Sequence, residues 1–247
     1  MQSLVTTLAF DRVALQRNIL TASLGAADAA MLAPYLCRVS VSGGMRLPGG
    51  GVDAQVWFPE TLVASICETL ADGTQVDVGV VGSEGMIGWP VLLSDERVVH
   101  GSVARLDGGT ALTMAADALV DLCDRRPSLR ASLLRFVQSY TVQLAQTVAS
   151  SLRDGIDARL ARLLLMLHDR IAGDDLAVTH IELSAALNVR RASVTDWLHI
   201  LEGDRIVRCT RGRIVVRDRV GLRAIAGASY GGAEASYSRL IGPFGKG

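Results

Sequence analysis

The sequence predicts an α+β fold in which an N-terminal antiparallel β jelly roll is followed by a long helix and a C-terminal winged helix-turn-helix. Three observations support this order. Short β-like runs alternate with Gly and Asp turns over residues 37–114, and apolar residues then recur at helical spacing over residues 129–152. Two short helices and an Arg-rich hairpin are predicted over residues 179–219.

The composition indicates a folded protein without a disulfide scaffold. Hydrophobic residues make up 49% and charged residues 20% of the 247 residues, which excludes the disordered and fibrous classes. The four cysteines are far apart and form no CxxC pair, which disfavours a zinc ribbon. The uncharged run at 136–152 carries three Gln, three Ser and two Thr, too many polar groups for a membrane span. We therefore expect a cytoplasmic protein with no membrane segment.

The two halves of the chain differ in charge although the net charge is zero. Residues 1–120 hold 6 basic and 12 acidic residues, whereas residues 121–247 hold 19 basic and 13 acidic residues. This asymmetry makes the second half the candidate for a polyanionic partner. The predicted organisation is an N-terminal β domain, a long helix with its linker, a winged helix-turn-helix and a flexible Gly-rich tail, at residues 1–120, 121–153, 154–226 and 227–247.

The predicted jelly roll rests on short runs with strand-like composition and Gly or Asp turns. The runs are 38–41, 54–58, 62–70, 75–81, 98–104 and 110–114. Asp72-Gly73 between two of these runs is a strong signal for a hairpin. Residues 12–36 are predicted to be helical, with breaks near Gly25 and Pro34.

Helical patterning continues after the strands. Residues 115–123 form one predicted helix, Pro127 suits the first turn of the next, and a further helix is predicted over 156–171. The helix at 129–152 is long enough, at about 36 Å, to pair two copies of the chain. Packing of this helix on its own domain is the alternative.

Residues 179–201 have the pattern of a helix-turn-helix. Thr179 and Glu182 have the spacing of a capping box, and Asn188 suits a tight turn because Asn tolerates the left-handed conformation. A second helix is predicted from about Arg190. Its buried side is expected to comprise Val194, Trp197, Leu198 and Leu201, which leaves Arg191, Ala192, Thr195, Asp196 and His199 facing outward.

The basic hairpin at 205–219 is predicted to be a two-stranded wing with six arginines and one acid. A helix that begins with Arg-Arg can enter a major groove, and a basic wing can contact phosphates. The predicted base contacts are Arg190, Arg191, Thr195 and Asp196. The predicted phosphate contacts are Thr179, His180, Ser193, Arg211 and Arg213.

With these motifs the chain resembles the Crp/Fnr family of bacterial transcription regulators. The similarity is strongest at residues 78–89 (VGVVGSEGMIGW), at 158–169 (ARLARLLLMLHD) and in the helix-turn-helix with its wing. The resemblance implies a cyclic-nucleotide-binding-like sensor domain and a homodimer through helix 129–152. It also implies a palindromic DNA operator and makes RNA polymerase a candidate partner.

The sequence also departs from the family pattern. The Gly-Glu pair and the Arg-Ser motif that hold cyclic AMP are replaced by Gly88-Trp89-Pro90 and by residues 98–102. Cyclic AMP is therefore not an expected ligand, and no cofactor or other effector is predicted. In the recognition helix, Ala192 and Asp196 stand where many members have Glu and Arg, so we expect a different operator sequence.

Functions other than DNA binding have less support in the sequence. Cys37, Cys67 and His100 could bind haem or a metal, but their spacing favours cysteines buried in a β core, and no metal site is predicted. The sequence has no nucleophile–base motif, metal signature or dinucleotide fingerprint, so we expect no enzymatic activity. A sensor or adaptor that acts through protein contacts is the stronger alternative, although it would not need an Arg-rich wing.

Overall fold

The computed structural model describes residues 5–8, 12–48, 54–94 and 101–246. Described strands of the N-terminal domain form two antiparallel sheets with the orders β1-β2-β7-β3 and β5-β4-β6. The strands are β1 (Val5–Leu8), β2 (Cys37–Ser42), β3 (Gln55–Pro59), β4 (Val63–Thr69), β5 (Gln75–Val81), β6 (Gly101–Arg105) and β7 (Gly108–Ala115). The predicted jelly roll is confirmed, with β1 as a strand that the sequence analysis missed.

The hairpin between β4 and β5 forms at the predicted turn. Gly73 has a φ of +83°, and the Asp72 side chain accepts a hydrogen bond from the Thr74 amide at 2.8 Å. Thr69 and Gln75 pair directly across the turn. The predicted strand at 98–104 is described only from Gly101, because residues 98–100 lie outside the described part of the chain.

Short helices precede and follow the jelly roll. Helices α1 (Ile19–Ala22) and α2 (Ala26–Leu32) come before β2, with Gly25 as the N-cap of α2. Helix α3 (Ala116–Arg125) follows β7 and leads into the long helix α4 (Pro127–Arg153). Helix α4 has 27 residues, about 40 Å at 1.5 Å per residue. Pro127 occupies its first turn, as predicted, where a missing N–H costs nothing.

One face of α4 packs on the jelly roll through aromatic side chains. Phe136 and Tyr140 are each 2% exposed and stack with ring centroids 6.0 Å apart. A side chain at Gly85 would collide with the Phe136 ring, and one at Gly79 would collide with Tyr140. These glycines let the long helix approach the sheet closely.

The C-terminal domain forms a second core. It comprises helices α5 (Ile156–His168), α6 (His180–Leu187), α7 (Arg191–Gly203) and α8 (Arg219–Ala226), and strands β8 (Asp175–Leu176), β9 (Val207–Thr210) and β10 (Arg213–Val216). The strands form an antiparallel sheet of order β8-β10-β9. Val63 and Val80 of the jelly roll belong to this same core, so the two domains pack directly on each other.

The expectation of a loose C-terminal tail is wrong. Helix α9 (Gly232–Leu240) packs along α4, and the Ala233 amide donates to Gln146 Oε1 at 3.0 Å. Tyr237 is 3% exposed and donates from its hydroxyl to the Glu84 carbonyl at 2.6 Å. The many glycines of this segment do not predict a helix. The short helix is stabilised by contacts with residues that are distant in the sequence.

Candidate nucleic-acid interface

The start of α6 and the turn after it have the predicted geometry. The Thr179 hydroxyl accepts from the Glu182 amide at 3.2 Å, and the Glu182 carboxylate accepts from the Thr179 amide at 2.7 Å. Both halves of the capping box are therefore present. Asn188 ends α6 in the left-handed conformation, with φ +50°. This turn directs the chain into α7 at a sharp angle.

Helix α7 has one buried side and one exposed side. Val194, Leu198 and Leu201 are 0–2% exposed, while Trp197 is only partly buried. The predicted outward residues form the other side. Arg190, Arg191, Ala192, Asp196 and His199 are exposed, and Ser193 and Thr195 are half-buried. The first turn of α7 therefore presents two adjacent guanidinium groups to solvent.

Two of the predicted contact residues are hydrogen-bonded to each other. His180 Nδ1, at the start of α6, lies 3.0 Å from Thr195 Oγ1 in α7. Burial lowers the pKa of His180, and the nearby Arg191 and His199 lower it further. A neutral His180 ring that accepts at Nδ1 would fix the Thr195 hydroxyl as a donor, so this contact ties α6 to the outward face of α7.

The wing carries Arg211 in its turn and Arg213 directly after the turn, at the start of β10. Gly212 has a φ of +75°, which completes the turn between β9 and β10. Arg211 is exposed. Arg213 instead lies between two acids, with Nη1 3.1 Å from Asp175 and Nη2 3.1 Å from Asp107 of the jelly roll. This predicted phosphate contact is therefore paired with a carboxylate of the jelly roll.

The sixth wing arginine, Arg219, is directed inward. Its guanidinium donates to His168 Nδ1 at 3.0 Å and to Asp169 Oδ1 at 2.6 Å, and its side chain is 15% exposed. It is a structural residue rather than part of a basic surface. The count of six wing arginines therefore overstated the exposed charge, because Arg219 and Arg213 are both paired with acids. The sequence contains no local signal for these distant partners.

Arg190, Arg191 and Arg211 differ from these paired arginines. Within the described ranges, none of the three has a carboxylate within 4.0 Å. Arg208 and Arg217 of the wing are also exposed, and the sequence analysis had not singled them out. Exposed guanidiniums without partners can donate to base edges or phosphates.

The cysteines of the jelly roll do not converge. Cys37 is exposed, contrary to the expectation of a buried cysteine, and Cys67 is buried with Sγ 3.2 Å from Asp77. Burial and the Asp77 carboxylate raise the pKa of the Cys67 thiol to about 12, so it stays protonated at neutral pH. His100, the third candidate, lies outside the described residues. In the part of the chain that the structure describes, no three His, Cys, Asp or Glu side chains are grouped to hold a metal ion.

Comparison with known proteins agrees with this domain order. Residues 158–225 match the family of Crp-like helix-turn-helix domains. No curated protein matches the sequence significantly. FixK2 from Bradyrhizobium japonicum is similar in fold, with a TM-score of 0.65 at 16% identity over 77% of this chain and 97% of that one.

Two further solved structures have the same fold. A transcriptional regulator of the CRP family from Thermus thermophilus has a TM-score of 0.60 at 20% identity, covering 77% of this chain and 96% of its own. The c-di-GMP-responsive global regulator CLP from Xanthomonas campestris has a TM-score of 0.61 at 14% identity, covering 78% and 99%. Residues 158–225 are therefore similar to a Crp-like helix-turn-helix domain, and the chain shares its fold with these regulators. Among the described helices, none is both long and apolar enough to cross a membrane.

Proposed function

We propose that the protein is a homodimeric regulator that binds a specific, two-fold symmetric DNA site. The proposal rests on the exposed guanidinium groups of Arg190, Arg191 and Arg211, which have no carboxylate partner among the described residues. Many other arginines of the chain are paired with acids. Exposed guanidinium groups without acidic partners on one domain indicate a surface that binds a polyanion.

The residues of this surface divide into two roles. Arg191, with Arg190, Thr195 and Asp196, would contact base edges, because the first turn of a recognition helix enters the major groove. Thr179, His180, Ser193 and Arg211 would contact phosphates, which fix the register without reading the sequence. Arg213 would join them once it leaves Asp107 and Asp175.

The exposed part of α4 supports a dimer. Val148 is 59% exposed and Leu152 is 84% exposed, on a helix whose opposite face is buried. These side chains, with Leu144 and Trp89, line an apolar groove of about 470 Å³ between α4 and the β4–β5 hairpin. A second copy of α4 would cover this groove. Two recognition helices would then face half-sites about 34–36 Å apart.

The effector of this regulator is proposed to be a molecule other than cyclic AMP. Gly88, with φ +88°, and Trp89-Pro90 enter a 3-10 turn and provide neither a carboxylate for the ribose nor a guanidinium for the phosphate. Trp89 is 8% exposed, and its ring centroid lies 5.7 Å from that of Tyr140, so its side chain packs in the hydrophobic core. A buried cyclic phosphate would lack compensation there.

Selection from a randomised duplex library tests the proposed function. The wild-type protein should enrich a two-fold symmetric motif, and R191Q combined with R190Q should enrich nothing above background. R125Q is the matched control, because Arg125 lies at the end of α3, pairs only with Asp121 at 3.9 Å and is 61% exposed. Light scattering should give twice the chain mass for wild type and a smaller mass for L152D. A monomer without enrichment would instead favour the adaptor function.

A further inference from the structure

A cleft with polar and apolar walls lies where the jelly roll, the long helix and the helix-turn-helix meet. It has a volume of about 400 Å³, within the range of small-molecule sites. Its walls come from β5, the C-terminal part of α4, α5 and the end of α6. Asn188, which turns the chain from α6 into α7, is part of the lining. Any molecule in this cleft would therefore touch both domains.

The cleft carries an excess of positive charge. Arg159 and Arg162 line it, and neither has a carboxylate within 4.0 Å among the residues that the structure describes. Asp77 also lines the cleft, but its charge is matched by Arg105, with Nη2 2.5 Å from Oδ2. Two guanidiniums thus line the cleft without a direct carboxylate partner among the described residues, although the more distant Glu234 and Asp154 act on the charge of Arg162.

Both arginines are held in place by backbone carbonyls rather than by acids. Arg162 is 7% exposed, and its Nε donates to the Ser229 carbonyl at 2.9 Å. Arg159 Nη2 donates to the Leu187 carbonyl at 2.5 Å, at the end of α6. Burial is the largest cause that lowers the pKa of Arg162, and the Glu234 and Asp154 carboxylates partly oppose it. A bound anion would offset the free-energy cost of burying the Arg162 charge.

A buried hydroxyl in the same lining has no acceptor. Ser150 is 3% exposed, and its Oγ has no hydrogen-bond partner within 3.5 Å. The Ser150 hydroxyl also helps to lower the pKa of the Asp154 carboxylate, for which the hydrogen bond from Ser229 is the largest cause. Thr147 and Ser151 already donate to backbone carbonyls of α4, at 2.9 and 2.8 Å. Among the described residues, Ser150 is thus the hydroxyl of the lining that makes no hydrogen bond of normal geometry, with the Asp154 carboxylate as its nearby competitor for a ligand.

We propose that this cleft binds a small molecule through an oxyanion group, either a phosphate or a carboxylate. Arg159 and Arg162 supply the compensating charge, and the Ser150 hydroxyl supplies a hydrogen bond. Because the lining joins β5 to the turn before α7, occupancy fixes the recognition helix relative to the sensor domain. That last consequence rests on the proposed function, whereas the binding itself does not.

Thermal unfolding of the full chain without DNA tests the binding. Inorganic phosphate and succinate are titrated separately at constant ionic strength set with NaCl. At least one should raise the Tm along a saturable curve in wild type. R159Q and S150A should each weaken the apparent affinity, R159Q by tenfold or more. R125Q is the surface control, and R191A shows whether the anion binds the DNA-facing surface instead.

The outcomes separate the ligand sources and the two proposals. A response to phosphate alone indicates a phosphorylated molecule, and a response to succinate alone indicates a carboxylate; either supports the cleft. No saturable response, or a response that R159Q leaves intact and R191A abolishes, overturns it. Since DNA is absent, this failure would leave the proposed DNA binding standing, and failure of the library selection would leave the cleft standing.

Discussion

The Arg170 guanidinium and the Glu84 carboxylate form a buried ion pair across the domain junction, with Nη2 2.7 Å from Oε1. Their side chains are 2% and 3% exposed. Arg170 also donates to the Met166 carbonyl at 2.7 Å and lies under the Phe244 ring, 5.1 Å from its centroid. The pair therefore joins the jelly roll, the end of α5 and the C-terminal segment at one point.

Replacing Glu84 with Gln should destabilise the protein strongly. The change leaves the Arg170 charge buried without a counter-ion, which costs about 3–5 kcal/mol. Urea unfolding at a fixed protein concentration measures this. D121N is the control, since it breaks the exposed Asp121–Arg125 pair and should cost less than about 1 kcal/mol. Equal losses of unfolding free energy in the two variants would show that the buried pair contributes no more to stability than the exposed pair.

The contact between Arg213 and Asp107 should restrain DNA binding. Both side chains are largely exposed, at 48% and 75%, so the pair contributes only about 0–1 kcal/mol to stability. D107N should therefore leave the Tm unchanged, release Arg213 from the jelly roll while Asp175 still contacts it, and steepen the salt dependence of DNA affinity by up to about one counter-ion. Fluorescence anisotropy at several salt concentrations measures the slope. D121N removes an exposed acid that pairs with Arg125 instead of Arg213, and a slope increase as large in D121N would refute the specific role of Asp107.

The turn at Asn188 should tolerate Gly better than Ala. Asn188 has φ +50° and ψ +51°, a conformation that costs a residue with a Cβ about 1–2 kcal/mol. N188A should thus be less stable than N188G by about 1 kcal/mol, as measured by urea unfolding. If N188A is equally stable or more so, the left-handed turn is not a constraint on the helix-turn-helix.

Stability should fall as pH drops below about 6.5 because of His168. Its Nδ1 accepts from Arg219 at 3.0 Å and its Nε2 lies 2.8 Å from Asp174, so the neutral ring is the form that fits. Burial lowers the pKa of His168 from its ordinary 6.5; the bond to Asp174 opposes this, and Lys246 and Arg219 add to it. The folded ring therefore stays neutral where the unfolded one takes up a proton, and stability is lost as pH falls through 6.5.

The comparison for this pH effect is H168Q. Its Tm should change less than that of wild type between pH 8 and pH 5.5. The difference between the two curves isolates His168 from His180, whose pKa is also lowered. Parallel curves would mean that His168 does not contribute to the acid sensitivity.

Local signals made much of this architecture predictable. Asp72-Gly73, the Thr179–Glu182 capping box and Asn188 each determine a turn or cap through neighbours within a few residues, and all three have the predicted geometry. The exposed side of α7 follows from helical spacing in the same way.

The features that the sequence analysis missed depend on contacts between distant residues. Arg213 and Asp107 are 106 positions apart, and Arg170 and Glu84 are 86 apart. Nothing near Arg219 indicates that it turns inward to His168 and Asp169. The segment after residue 226 looks loose because its glycines dominate, whereas Tyr237 is ordered by the Glu84 carbonyl across the fold. Such pairings require the tertiary structure.

The central claim is that Arg191 reads a base while Arg211 contacts the backbone. The most direct measurement is the affinity of wild type, R191A and R211Q for every single-base variant of the selected half-site, at two salt concentrations. R191A should lose about 1–3 kcal/mol of discrimination at one position and keep it elsewhere, whereas R211Q should weaken all sequences alike and reduce the salt slope by about one. Uniform losses from both variants on every sequence would contradict the claim.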